Sequence, residues 1–341
     1  MLTSNYSDVL RRTVELVLGT YPPRTTEAAQ FKGYLSSWLK NAWESEWWPE
    51  LVRIEERTYR AAWDIATAYT AGAQVYHPDS NAYFQALRAS TGQAPASDDG
   101  SGGYTADNAY WAQLQPSYGG SNYVAATAYA VGDTVFYPTT RRRYMAHTAG
   151  TGNLPSDTTY WGVLTDFDPY IADDQTGETE IGSVFAIYSA NPRTTRTWKE
   201  VPFQRSVTGV QTIGGPNVVW VEFRLVPPQF TGSDWDSDTA YTAGQQVYFT
   251  ISGAGNFYEC LTATSAGDSP LTAASAWAVV EIPRIFDDYM AFGAAADWYR
   301  LQGQHDKAAV MERGADDQLG AETDKLYRQQ GLTQRLRVNT Y

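Results

Sequence analysis

The chain has 341 residues, 43% hydrophobic and 14% aromatic, which supplies apolar material for two or three packed domains and excludes a disordered polymer. Its formal net charge of −13 excludes a broad nucleic-acid-binding face and disfavours anionic membrane surfaces. A single cysteine, Cys260, rules out intrachain disulfides and cysteine-rich zinc sites, and no apolar run is long enough to span a bilayer.

The opening MLTSNYSDVLRRTVELVLGT lacks a basic segment leading into an apolar run, so no signal peptide is expected and the protein should be made in a cytoplasm and stay soluble. Residues 1–61 read as helical. Asp8 to Leu18 is a short candidate with Val9, Leu10, Val14, Leu16 and Val17 apolar. Beyond Pro22 and Pro23, with Thr25 or Thr26 as cap, Phe31, Leu35, Trp38, Leu39, Ala42 and Trp43 fall on one helical stripe.

From residue 62 the helical period disappears and one short phrase recurs: ATAYTAGAQVY (66–76), ATAYAVGDTVF (126–136) and DTAYTAGQQVY (238–248). Tyr69, Tyr129 and Tyr241 each precede a glycine by three positions, at Gly72, Gly132 and Gly244, and Val75, Val135 and Val247 follow three further on. An aromatic-x-small triplet comes next: Phe84-Gln85-Ala86, Tyr144-Met145-Ala146, Tyr258-Glu259-Cys260. Each copy closes on a proline (Pro95, Pro155, Pro270) and a tryptophan (Trp111, Trp161, Trp277). Glycine supplies the positive φ of a tight corner, and short strands turn Tyr, Val and Trp inward to a miniature core. The expected β units span 62–116, 117–167 and 233–281, with a further β-rich segment over 168–232 in which Val218 to Phe223 is the strongest strand, after a turn at Gly214-Gly215-Pro216-Asn217.

Residues 282–330 read as helical again. Gly303 either separates two helices, IFDDYMAFGAAADWYRLQGQ and DKAAVMERGADDQLGAETDKLYRQQ, or bends one. The Ala-rich composition gives a narrow apolar stripe suited to close packing. Residues 331–341 read as an extended arm in which Arg335, Arg337 and Tyr341 are the candidate partner contacts.

Chemistry-bearing motifs are few. His77, His147 and His305 lack metal-ligand spacing and are assigned to turns or the surface. The acidic run TDFDPYIADDQTGETE (165–180) lacks the order of a calcium loop and reads as a solvated linker. SDDGSGG (97–103) reads as a flexible loop tip without the GK[ST] of a phosphate cradle. Arg141-Arg142-Arg143 forms a compact basic turn at the tip of the second repeat, either solvated or meeting an acidic neighbouring subunit. No catalytic, cofactor or metal site is expected.

The repeated pattern W…AYxxGxxVxY…(Y/F)xA…P…W resembles the small chitin-binding modules of families five and twelve, in three pieces. The resemblance implies the fold. Where those modules carry two exposed aromatics that stack on sugar rings, this chain has Arg88-Ala89, Thr148-Ala149 and Thr262-Ala263, so the ligand signal is missing. The segments P-x-x-F, GAAADW, GQ-x-x-KA and QQG with a basic arm, preceded by NPRTTRTWKEVPF and WVEFRLVPPQFT, resemble the C-terminal half of tailed-bacteriophage neck proteins, the head-to-tail adaptors or connectors.

That second resemblance implies an α+β multidomain fold: a helical bundle formed by the N- and C-terminal segments, with small all-β modules inserted. It implies a virion structural protein assembled in the host cytoplasm, a ring homo-oligomer of about twelve copies around the DNA channel, bound to the portal and to a downstream tail or nozzle protein. The β modules would form an outward collar with at most weak glycan contact. The alternatives are a carbohydrate-binding host-adhesion protein, which exposed Tyr76, Tyr137 and Tyr248 would support, and a glycoside hydrolase with accessory modules.

Overall fold

The computed structural model describes residues 2–19, 21, 23–175 and 179–329. The architecture is α+β, with helices near both ends of the chain flanking a central region rich in small antiparallel sheets. Two compact units form: residues up to 52 together with those from 227 onward, and residues 53–226.

Among the described residues the first unit holds four α-helices. α1 (Tyr6–Val17) is closed by a capping box, Asn5 Oδ1 accepting from Asp8 N–H at 3.1 Å while Asp8 accepts from Asn5 N–H. It buries Val9, Leu10, Thr13 and Val14. α2 (Thr25–Ser45) begins one residue earlier than a Thr25 or Thr26 cap would place it. Arg24 takes the cap position and donates its N–H to Glu27 at 2.9 Å. Phe31, Leu35, Leu39, Ala42 and Trp43 are buried, as the apolar stripe requires.

Gly303, at φ +70°, ends the next helix, so the C-terminal segment is two helices: α3 (Asp287–Leu301) and α4 (His305–Gln329). α3 is the centre of the unit. Ala291, Ala294, Ala295 and Ala296 are fully buried, and small side chains let three other helices approach it. Phe31 of α2 stacks on Trp298 at 5.0 Å, and Trp38 lies against Tyr289 at 5.0 Å and donates its indole N–H to Asp297 at 2.7 Å. From α1, the Leu16 carbonyl accepts from Tyr299 Oη at 3.1 Å and Arg12 pairs with Asp288. A two-stranded ladder, Thr3–Asn5 against Glu281–Pro283, ties the same ends together.

The third β repeat belongs to this unit. Its sheet runs Ser233–Asp234, Gln246–Ile251, Ala254–Cys260, Trp277–Val279. α1 covers it: Tyr6 meets Phe257 edge-on at 4.9 Å and Phe230 at 5.0 Å, and Ser7 N–H donates to Asn256 at 2.9 Å.

The second unit holds the first two repeats and the β-rich segment. Its main sheet centres on Val218–Leu225, flanked by Ile181–Tyr188 and Val52–Thr58. Val219, Val221 and Phe223 alternate inward and are fully buried with Ile171 and Val210. Residues 52–58, expected to be helical, are therefore a strand. β-branched Val52, Ile54 and Thr58 favour it, and Arg57 is 1% exposed with its guanidinium 5.4 Å from the Phe223 ring. Burial lowers the Arg57 pKa, against the opposing pull of Glu55.

The acidic run is not a free linker either. Tyr170–Ala172 pairs with Gly209–Thr212, Ile171 is fully buried, and Asp173 pairs with Arg205.

Candidate functional site

Each repeat builds the same corner from the residues singled out in the sequence. The corner glycines have φ of +90°, +96° and +84° at Gly72, Gly132 and Gly244, a region that favours glycine. Each donates its N–H at 2.8 Å to the carbonyl of the small residue ending the central strand: Ala86, Ala146 and Cys260. Tyr69, Tyr129 and Tyr241 accept, at 2.8 Å in every copy, the N–H of Asp64, Val124 and Asp236. The tyrosine ring meets the closing tryptophan edge-on, with centroids 5.4, 5.1 and 5.4 Å apart for Trp111, Trp161 and Trp277. Those indoles donate inward to the carbonyls of Gln93, Asn153 and Asp268. Val75, Val135 and Val247 sit beneath, 2%, 1% and 0% exposed.

Every side-chain polar atom of this signature has a hydrogen-bond partner within its own repeat. The twelve residues are a folding device, and the chemistry they offer outward is small.

Two of the repeats join each other. Gln85 is 1% exposed; its Nε2 donates to the Val163 carbonyl at 2.7 Å and its Oε1 accepts from Thr165 N–H at 3.1 Å. Leu87 and Ala112 of the first repeat pack on Met145 and Leu164 of the second. A cavity of 660 Å³ opens beside this seam, and Arg88 on its rim holds its guanidinium 3.9 Å over the Tyr110 ring.

His77 and His147, assigned from sequence to turns or the surface, are buried. His77 Nδ1 lies 3.0 Å from Ser80 Oγ, and His147 bridges Thr148 Oγ1 and the Thr158 carbonyl at 3.1 and 3.2 Å. Desolvation lowers both pKa values, which favours neutral rings. His305 is exposed at the start of α4. Among the described residues no group of three His, Cys, Asp or Glu is placed to hold a metal ion. No helix of the described residues is long and apolar enough to cross a membrane. SDDGSGG is the turn of a hairpin, Ala96–Asp98 against Tyr104–Ala106, and Asp99 accepts from Ser101 and Gly103 N–H.

Beyond the shared corner, the repeats differ in a cross-strand pair at the hairpin end of each sheet. It is Tyr76↔Tyr83 in the first, Phe136↔Arg143 in the second and Tyr248↔Phe257 in the third. In the first, Tyr83 stacks on Phe167 at 4.8 Å, touches Tyr59 at 5.7 Å, and donates its hydroxyl to the Asn217 carbonyl. In the third, Phe257 is covered by Tyr6 and Phe230. Tyr76 is 8% exposed, Tyr248 is half-buried under Tyr6, and Tyr137 lies between Tyr123 and Tyr144, so none of the three stands out as a free ring platform. The aromatic pair is thus the anchoring point of a repeat on its own unit, a role the sequence pattern did not reveal. Arg335, Arg337 and Tyr341 lie outside the described residues.

No protein-family model matches this chain, and no curated protein sequence matches it.

Proposed function

We propose that the chain is a virion structural protein of a tailed bacteriophage: a portal-bound head-to-tail adaptor that forms a ring around the DNA channel. Its helical part is built by both chain ends, and its three inserted units, resembling chitin-binding modules, project as a collar. The observation that supports this most is the meeting of distant segments on α3. Phe31 and Trp38 pack on Trp298 and Tyr289, and Thr3–Asn5 pairs with Glu281–Pro283. A body closed from both ends can carry long insertions without losing its core, as a ring subunit with peripheral decoration requires.

The chemistry of the surface agrees with a channel component. A net charge of −13 repels DNA phosphates and lets the genome slide past without being gripped. The signature residues of the repeats are internally satisfied, which suits modules that brace and space subunits better than modules that select a small ligand. In this reading Arg335, Arg337 and Tyr341 contact the portal, and a tail or nozzle protein follows below.

The test is reconstitution with a portal protein of the same phage. Co-sedimentation and electron microscopy should show closed rings of the chain coaxial with the portal. A chain that stays monomeric and leaves the portal unbound overturns the reading.

A further inference from the structure

At the hairpin end of the second repeat, no ring from outside the repeat covers the cross-strand pair among the described residues, and Arg143 Nη1 donates to the Gly119 carbonyl at 2.9 Å. At the position where Tyr83 and Phe257 are covered by neighbouring rings, Arg143 stands 5.8 Å from the Phe136 ring, and both are half-buried. Arg141 and Arg142 beside it are exposed, and no ion pair among the described residues engages any of the three arginines. Arg141 has φ +56°, the left-handed turn position that Asn81 fills in the first repeat. Asparagine tolerates that conformation better than arginine does, so the charge is kept at a backbone cost.

The first repeat carries the opposite feature. Its extra hairpin, Ala96–Asp98 against Tyr104–Ala106, presents exposed Asp98 and Asp99, with Tyr104 paired across from Asp98 and 42% exposed. Hydrogen bonds from Ser101 and Gly103 hold the Asp99 carboxyl below the usual range, so it is charged at neutral pH. Carboxylates with an open aromatic face are the complement of an arginine turn. Yet no ion pair among the described residues joins the two features within the chain.

Resting on the ring reading above, we infer that the Arg141–Arg143 turn of one copy docks on the Asp98-Asp99-Tyr104 hairpin of a second copy. Two different patches of one chain make a heterologous, head-to-tail contact, the kind that closes rings and does not stop at a dimer. The first and second repeats would then link neighbouring subunits while the third stays on the helices of its own chain.

The experiment uses full-length chain in sedimentation velocity, comparing wild type with Arg141→Glu/Arg142→Glu and with Asp98→Lys/Asp99→Lys, each checked for native circular dichroism. All four residues are exposed, at or beside hairpin turns, so the fold should persist. Each variant alone should associate about tenfold or more weakly, and wild-type association should weaken from about 50 to about 500 mM NaCl. An equimolar mixture of the two variants should regain wild-type assembly, because every tip then faces a hairpin of opposite charge. Variants that assemble normally overturn this inference and leave the ring reading intact. Wild type that remains monomeric at every concentration overturns both. Duplex DNA bound by wild type and lost by Arg141→Glu/Arg142→Glu, with assembly unchanged, assigns the tip to nucleic acid and overturns the inference.

Discussion

Gly293→Ala and Gly320→Ala are the same chemical change on two adjoining helices, and they should move stability in opposite directions. In a helix interior, alanine is favoured over glycine by about 1 kcal/mol. At Gly320 an added Cβ meets nothing within 4 Å, so the full gain of about 1 kcal/mol is expected. At Gly293 the same atom would come within 2.1 Å of Trp38 Cδ2 and 2.4 Å of its Cε3. That ring cannot withdraw cheaply, because its indole N–H is held by Asp297 at 2.7 Å and its edge meets Tyr289 at 5.0 Å. Overpacking of this kind costs about 1–3 kcal/mol, and a lost charge-assisted hydrogen bond about 1.5–3 kcal/mol. After the helix gain, Gly293→Ala should destabilise the protein by about 1.5–5 kcal/mol. Urea unfolding followed by far-ultraviolet circular dichroism and tryptophan fluorescence reads both variants, with Gly320→Ala as the internal control. A Gly293→Ala protein as stable as Gly320→Ala would mean that α2 and α3 do not meet at Trp38, and the closure of the two chain ends would lose its main contact.

Two further outcomes follow from the geometry. Tyr69→Phe, Tyr129→Phe and Tyr241→Phe each remove the hydroxyl that accepts a 2.8 Å backbone N–H bond, so each should cost about 1 kcal/mol in urea unfolding; a cost confined to one copy would refute the equivalence of the corners. Asp287 is raised from 3.8 to about 6, first by burial and then by Asp288, so the folded state holds its proton more tightly than the unfolded chain and the stability it contributes, full below pH 3.8, is lost as pH rises through 6. The full shift is worth about 3 kcal/mol and solvent screening of this half-buried carboxyl reduces it to about 1 kcal/mol. Asp287→Asn should therefore be more stable than wild type at pH 8 and indistinguishable from it at pH 3, and equal midpoints at both values would refute the assignment.

The corners were legible because their grammar is local: tyrosine, glycine and valine at three-residue intervals close within a single repeat, and the sequence alone carries the spacing. The helical stripe Phe31–Trp43 was legible for the same reason. The strand Val52–Thr58 was not, since VRIEERT has four charges and one of them, Arg57, is buried over Phe223, contributed from more than 160 positions further along. The burial of His77 and His147 was equally hidden, because it depends on Ser80 and Thr158 satisfying ring nitrogens that a sequence shows only as polar. The anchoring pairs were invisible for a third reason: Tyr83 is covered by Tyr59 and Phe167, and Phe257 by Tyr6 and Phe230, none of which belongs to the repeated phrase.

This division bears on what a triplicated unit is for. A position whose partners lie inside the repeat must stay the same in every copy, or that copy loses its own core. A position whose partners lie outside is set by whatever each copy touches. Position 83 and its counterparts show the rule: tyrosine where Phe167 and the Asn217 carbonyl wait, phenylalanine where Tyr6 waits, arginine where no ring from outside the repeat lies over it among the described residues. The three copies therefore diverge where their surroundings differ, and it is at the arginine copy that the contact with a second molecule inferred above is placed.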